Sequence, residues 1–157
     1  MTDVVDKQTR SRMMGNIRGT NTRPEIAVRR ALHAAGLRYR LHIPNLPGKP
    51  DIVLRRHKLC IFVHGCFWHR HVGCKFTTTP GTRAEFWQEK FKQNVLRDRA
   101  AIESLQQQGW RVFILWECGI RKRSLDWLPA AVISKVEWLE WPLLIKLDAA
   151  GEPQSNR

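Results

Sequence analysis

The chain predicts an α/β domain with a mixed central sheet flanked by helices. Two observations carry this. Amphipathic helical stretches alternate with strand-like runs in the order α-β-β-β-α-β-α, which places helices on a sheet. The run W-R-V-F-I-L-W (110–116) is continuously apolar but for Arg111, the mark of a strand covered on both faces. A length of 157 residues fits one domain with a sizeable core. No internal repeat interrupts it. The expected organisation is an arm over 1–21, one domain over 22–150 and a frayed tail over 151–157.

The arm is polar and basic, with Met13, Met14 and Ile17 as its main apolar members. It reads equally as disorder, as a short surface helix or as a segment that orders on a partner. Thr22 can cap a helix with Pro24 in its first turn, running to about Ala35 and stopping at Gly36. Its inward stripe is Val28, Leu32 and Ala35, and three residues back lies Glu25, a carboxylate at the start of the buried face. L-R-Y-R-L-H-I (37–43) alternates as a half-buried strand should. Pro44, Pro47, Gly48 and Pro50 then break the chain. The apolar runs 51–54 and 59–63, joined by R-R-H-K, read as a hairpin. A long helix over 83–107 ends at Gly109; its apolar stripe Phe91, Val95, Ile102, Leu105 is interrupted by Asp98. A last helix is expected over 129–139.

The charge names the partner class. With 27 Lys+Arg against 14 Asp+Glu, the chain carries +13, which favours a polyanion. Nucleic acid comes before membrane, because no long apolar stretch is present. M-T-D-V-V-D-K lacks the pattern of a secretory signal, which argues against a secreted basic protein. Four cysteines outside a secretory context read as metal ligands or reduced thiols.

Three constellations carry chemistry, and all meet in V-H-G-C-F-W-H-R-H-V-G-C (63–74). Cys66, His71 and Cys74 have the spacing of a zinc knuckle, and Cys118, just beyond the strand at 110–116, can complete a tetrahedron. Four protein ligands leave no open position, so that Zn²⁺ would be structural; buried thiols and a surface histidine are the plainer alternative. Cys60, in mid-strand, reads as core.

Outside that set lie carboxylates and histidines. Asp51 heads a strand and suits Mg²⁺, with a backbone carbonyl near Val63 as a further ligand. Glu25 can hold water beside such an ion. Asp98 interrupts an apolar stripe, so its burial demands a partner. An imidazole is the natural one, and His69 is the histidine left once His71 goes to zinc. His64 ends the paired strand. Each has an ordinary reading too: Asp51 capping a turn, Asp98 pairing with Arg97 or Arg99, His64 as a core histidine. The third constellation is aromatic. Phe67 and Trp68, hard to bury among polar residues, can wedge between base steps; Trp87, one turn before Phe91, reads first as core.

Together, D-K-Q-T-R-S-R-M-M, L-P-G-K-P-D, F-V-H-G-C-F-W-H-R-H, E-F-W-Q-E-K, N-V-x-R-D and G-W-R-V-F-I-L-W-E-C resemble the very short patch repair (Vsr) DNA mismatch endonucleases, from about residue 3 to 122. The resemblance implies a restriction-endonuclease-like fold with a structural zinc site. It implies Mg²⁺-dependent nicking of double-stranded DNA beside T:G mismatches left by deamination of 5-methylcytosine. It also implies a monomeric bacterial enzyme in the cytoplasm, associated with the nucleoid, with no membrane partner and a companion cytosine-5 methyltransferase. Position by position, Asp51 matches the metal-binding aspartate and Val63 the residue lending a carbonyl. Glu25 and His64 match residues touching water around the metal, and His69 and Asp98 the pair assigned to proton transfer. Cys66, His71, Cys74 and Cys118 match the zinc ligands. Phe67, Trp68 and Trp87 match aromatics inserted into DNA, and Met14 lies in the arm gripping the other groove.

Two features refine the match. I-F-V-H-G lacks the acidic-x-Lys pair usual on the second strand of the wider fold, an absence that Vsr proteins share. H-V-G-C carries one extra residue between the zinc histidine and the next cysteine. The competing readings are a zinc-stabilised DNA-binding module without catalysis, and a restriction-type endonuclease acting on matched DNA.

Overall fold

The structure, a computed structural model, describes residues 6, 8 and 20–144. Most of the N-terminal arm, Met14 included, and the expected frayed tail lie outside the described residues. The described elements run α1 (Arg23–Ala34), β1 (Arg40–Leu41), β2 (Ile52–Leu54), β3 (Leu59–His64), α2 (Cys66–His69), α3 (Ala84–Gln107), β4 (Arg111–Trp116), α4 (Glu117–Lys122), α5 (Leu128–Ile133) and β5 (Trp138–Trp141).

The sheet is mixed, as expected, with strand order β1-β2-β3-β4-β5. β1, β2 and β3 pair antiparallel, whereas β3, β4 and β5 pair parallel. The β3–β4 ladder is the spine, in register from Leu59↔Arg111 to His64↔Trp116. Alternate side chains go to opposite faces. Ile61, Phe113 and Leu115 pack with Val28 and Leu32 of α1 and with Leu128 and Val132 of α5. Cys60, Phe62, Val112 and Ile114 pack on the other face with Leu105 of α3. Both faces are thus covered, which is why β4 is apolar from Val112 to Trp116.

Helix α1 forms as its sequence dictates. Thr22 is extended and its hydroxyl accepts the Glu25 N–H at 3.4 Å, while Gly36 beyond the end has φ +74°. The loop before β2 is pressed against α3: Gly48 sits at φ +71°, and a Cβ there would lie 2.7 Å from the Ala101 Cβ. Glycine therefore lets the L-P-G-K-P segment deliver Asp51 to the head of β2.

Two expectations need correction. The strand over 37–43 pairs only at Arg40–Leu41, because His42 turns the backbone to φ 48°. The helix over 129–139 is really α5 followed by β5. Ser134 ends α5 in extended conformation, its hydroxyl donating to the Ala131 carbonyl at 2.6 Å. Arg111 then binds the carbonyls of Ala131, Val132 and Val136, which lays the chain beside β4. Among the described residues, no helix is long and apolar enough to cross a membrane.

Candidate active site

The chemistry gathers where β3 and β4 end and the antiparallel β2 begins. Asp51 Oδ2 accepts the Val63 N–H at 2.7 Å, so the main chain of β3 fixes this carboxylate and leaves Oδ1 free. Burial pushes the Asp51 carboxyl up to about 7; the Val63 N–H opposes that rise, and the neighbouring Glu25 adds to it. Glu25 is 2% exposed. Its Oε2 accepts the Asn21 N–H at 3.1 Å and Arg29 Nη2 at 2.9 Å, and Arg29 also reaches the Asn21 side chain. The inward carboxylate expected on α1 is therefore satisfied and held one short step from Asp51. A cation between the two would offset both the burial of the Asp51 charge and the smaller repulsion from Glu25, so the oxygen set fits a hard divalent ion.

On the other side of β3 stand His64, His69 and Asp98. His64 ends the strand, 5% exposed, and burial, then His69, holds its pKa well below the ordinary value, so the ring is neutral. The His69 ring stacks on it with centroids 3.8 Å apart and planes 4° from parallel. His69 Nδ1 lies 2.7 Å from Asp98 Oδ2. The residue interrupting the apolar stripe of α3 thus takes the imidazole as its partner, as the sequence predicted. With Nδ1–H donated to the carboxylate, Nε2 is the basic nitrogen of the ring.

Between the strand end and His69 lies α2, a four-residue helix on Gly65. Its Cys66 points inward, Phe67 and Trp68 outward, and His69 towards α3. Phe67 and Trp68 meet edge to face at 5.0 Å, and Trp87 packs within 6.0 Å of both. The buried Phe91 supports Phe67 from below, at 5.1 Å. Phe67, Trp68 and Trp87 are each half-buried. Their rings therefore form one seated cluster, with Lys90 Nζ 5.5 Å from the Trp68 ring. Phe67, Trp68, Glu25, Asp51, His64 and Asp98 all line one open cleft of about 1170 Å³.

The zinc set assembles behind it. Ligand atoms of Cys66, His71, Cys74 and Cys118 all lie within 4.8 Å of one another. His71 Nδ1 is 3.6 Å from Cys66 Sγ and 3.4 Å from Cys118 Sγ. Tetrahedral zinc with ordinary bond lengths sets nitrogen and sulfur roughly 3.6 Å apart, so the donor set fits the ion. His71 Nε2 donates to the Pro142 carbonyl at 2.8 Å, which leaves Nδ1 for the metal. The ring also stacks on Trp116, centroids 4.3 Å apart. The H-V-G-C segment between His71 and Cys74 closes in a turn in which Gly73 has φ +78°. Cys60 is a buried core thiol, pushed by burial up to about 12.

Some contributors escaped the sequence reading. Thr77 donates to the His71 carbonyl at 2.6 Å and clamps the knuckle. Glu117 Oε1 accepts the Cys66 N–H at 3.2 Å and ties α2 to α4. His42 stands within reach of Glu25 and Asp51. Thr77 is brought in by the loop that follows Cys74, whereas strand register brings His42 to Asp51 and Glu117 to Cys66. Val63 and His64 sit where the hairpin expectation put them, whereas Met14 lies outside the described residues.

Comparison with known proteins agrees with this geometry. The family profile described as DNA mismatch endonuclease Vsr matches residues 2–75. The chain is 47% identical over 124 residues to the DNA mismatch endonuclease Vsr of Escherichia coli, covering 79% of each. It is 46% identical over 118 residues to the type II nicking enzyme V.XorIIP of Xanthomonas oryzae pv. oryzae, covering 75% of this chain and 86% of that one. The type II nicking enzyme V.NmeAIP of Neisseria meningitidis is 38% identical over 125 residues, covering 80% and 89%.

Proposed function

The chain belongs to the Vsr family of DNA mismatch endonucleases, and from that premise we propose that it nicks one strand of duplex DNA beside a T:G mismatch, with Mg²⁺ at Asp51. The observation that carries the reading is the His69–Asp98 contact of 2.7 Å, placed one residue beyond the outward Phe67–Trp68 pair. A passive binding module has no use for an imidazole oriented by a carboxylate at the mouth of its binding cleft.

Asp51, helped by the Val63 carbonyl, would hold the ion, which when bound would supply positive charge against that developing on the scissile phosphate. His69 Nε2 draws the proton from the attacking water. Asp98 keeps the other ring nitrogen protonated and steadies the imidazolium that results. His64, buried and neutral, supports the His69 ring by stacking and faces water at the cleft floor. Glu25, fixed by Arg29, orients water near Asp51. One phosphorus–oxygen bond forms to water, one breaks to the leaving oxygen, and a proton must reach that oxygen.

Selectivity rests on mechanics. A mismatched step unstacks at lower cost than a paired one, so wedging by Phe67, Trp68 and Trp87 favours it. The zinc has no open position and acts as a brace for the loop that both wedges and cuts. A T:G mismatch arises when 5-methylcytosine deaminates, which makes a cytosine-5 methyltransferase the functional companion.

The test is a nicking assay on T:G and matched duplexes, with and without Mg²⁺, using the full chain. Mg²⁺-dependent cutting of one strand, confined to the mismatch, is expected. Equal rates on matched DNA would leave a restriction-type enzyme instead, and binding without any cutting would leave a binding module.

A further inference from the structure

His42 has no part in the mechanism above, yet its surroundings are those of a ligand. The β1–β2 pairing ends at Leu41↔Ile52, so the next residue of each arm, His42 and Asp51, stand side by side. The His42 N–H bonds the Asp51 carbonyl at 3.2 Å, with the histidine backbone in the left-handed region at φ 48°. Histidine tolerates that conformation better than most side chains, and the ring stands partly exposed between Glu25 and Asp51. His42 Nδ1 lies 4.0 Å from Asp51 Oδ1, the oxygen that Val63 leaves free.

That gap is too long for a hydrogen bond. Two ligands of one octahedral ion stand roughly 3.0 Å apart when adjacent and about 4.2 Å when opposite, at bonds near 2.1 Å. The observed 4.0 Å lies between the two, so an ion here would draw the ring and the carboxylate together by about 1 Å to make them adjacent ligands. On the far side of the ring, Nε2 lies 3.5 Å from Glu25 Oε2 and 3.2 Å from Arg29 Nη2, which also donates to that carboxylate. A guanidinium only donates, so in the metal-free protein Nε2 accepts from Arg29; an ion at Nδ1 would move the ring proton to Nε2 and aim it at Glu25. A carboxylate receiving the outer N–H of a metal-bound imidazole is a recurring device for orienting and enriching the inner nitrogen. One ligand atom each from Glu25, His42 and Asp51 falls within 4.8 Å of the others.

We infer that His42 is a nitrogen ligand, through Nδ1, to the divalent cation held at Asp51, and that the site therefore favours Mn²⁺ over Mg²⁺ more strongly than an all-oxygen site does. The inference rests on the proposed function for the presence of a cation at Asp51. Its chemical reason is that Mg²⁺ prefers oxygen, while imidazole suits the first-row transition ions.

The test uses Mn²⁺ itself on the full, zinc-loaded chain, read by pulsed electron paramagnetic resonance and by binding titration. Wild type should show coupling of the manganese electron spin to a directly bound ¹⁴N. His42→Asn keeps a residue suited to left-handed backbone and offers oxygen in place of nitrogen. It should abolish that coupling and weaken Mn²⁺ binding about tenfold, with Mg²⁺ affinity changed less than about threefold. Absence of nitrogen coupling in wild type, or its survival in His42→Asn, overturns the inference. Asp51→Asn separates the two levels. Loss of Mn²⁺ binding in that variant, with no nitrogen coupling in wild type, refutes His42 alone. Binding untouched by Asp51→Asn refutes the cation at Asp51, and the role of His42 with it.

Discussion

Replacing Asp51 by asparagine should make the zinc-loaded, magnesium-free protein more stable, and increasingly so as pH rises. Asp51 titrates at about 7 in the folded chain against 3.8 ordinarily. Between those values the folded state holds a proton that the unfolded chain has released, so stability falls as pH rises through the window. Above the window the penalty is complete, about 4 kcal/mol for a difference of roughly three pH units. Partial solvent contact makes that an upper figure, since the side chain is 18% exposed. Asparagine escapes the penalty, because its carbonyl oxygen can keep the Val63 N–H and no charge is buried. The gain should be about 1 kcal/mol at pH 5 and should grow by about 2 kcal/mol by pH 8. For a chain of this size that growth is a rise in relative Tm of roughly 4–8 °C. Differential scanning calorimetry of both proteins at the two pH values measures it, and adding Mg²⁺ at pH 8 should narrow the difference by stabilising the wild type alone. A gain independent of pH, or no gain at pH 8, would refute the argument that an uncompensated buried carboxylate sits at the centre of this site.

Other expectations follow from the same geometry. His69→Ala should lower the single-turnover nicking rate by roughly 10²–10⁴ with little change in DNA affinity, and nicking at wild-type speed would remove His69 from the proton-transfer role. Asp98→Asn, which keeps the shape but loses the charge steadying the ring, should show a smaller loss of the same kind in the same assay. Cys74→Ala should lower zinc content, measured by mass spectrometry, and lower Tm together, because ligand binding and folding are linked; full zinc content in that variant would exclude Cys74 from the set. Trp68→Ala should reduce the ratio of T:G to matched cleavage by roughly tenfold, in line with about 1–3 kcal/mol per stacked base. An unchanged ratio would place the discrimination elsewhere.

The parts of the site that were legible in the sequence are those that one element presents by itself. Glu25 follows from the three-residue step on α1, Asp98 from the gap in an apolar stripe, and Cys66, His71 and Cys74 from their spacing. Asp51 and His64 follow from a hairpin whose strands are both apolar. What escaped depends on where the chain returns. His42 means little beside Pro44 and becomes a candidate only once the Leu41↔Ile52 register brings it to Asp51. β5 was read as helix because A-A-V-I-S-K-V-E-W-L-E lacks glycine or proline to mark a boundary. Its strand conformation is imposed from outside, by Arg111 holding three carbonyls of that segment and by the exposed parallel edge of β4. Glu117 likewise acquires its role only because the parallel β3–β4 pairing sets the start of α4 beside α2.

Helix α2 has a consequence for how such a chain can vary. Four consecutive residues, Cys66 to His69, face successive directions about 100° apart, so position along the chain is converted into direction in space. Substitution can adjust any one duty while sparing the rest. Insertion or deletion cannot, because a shift of one residue would turn every member to its neighbour's heading and set an arginine or a tryptophan against Asp98. The H-V-G-C segment lies beyond this turn, in a loop whose length can change without altering those headings. The segment therefore behaves as a phase-locked unit, free to change its letters but not its count.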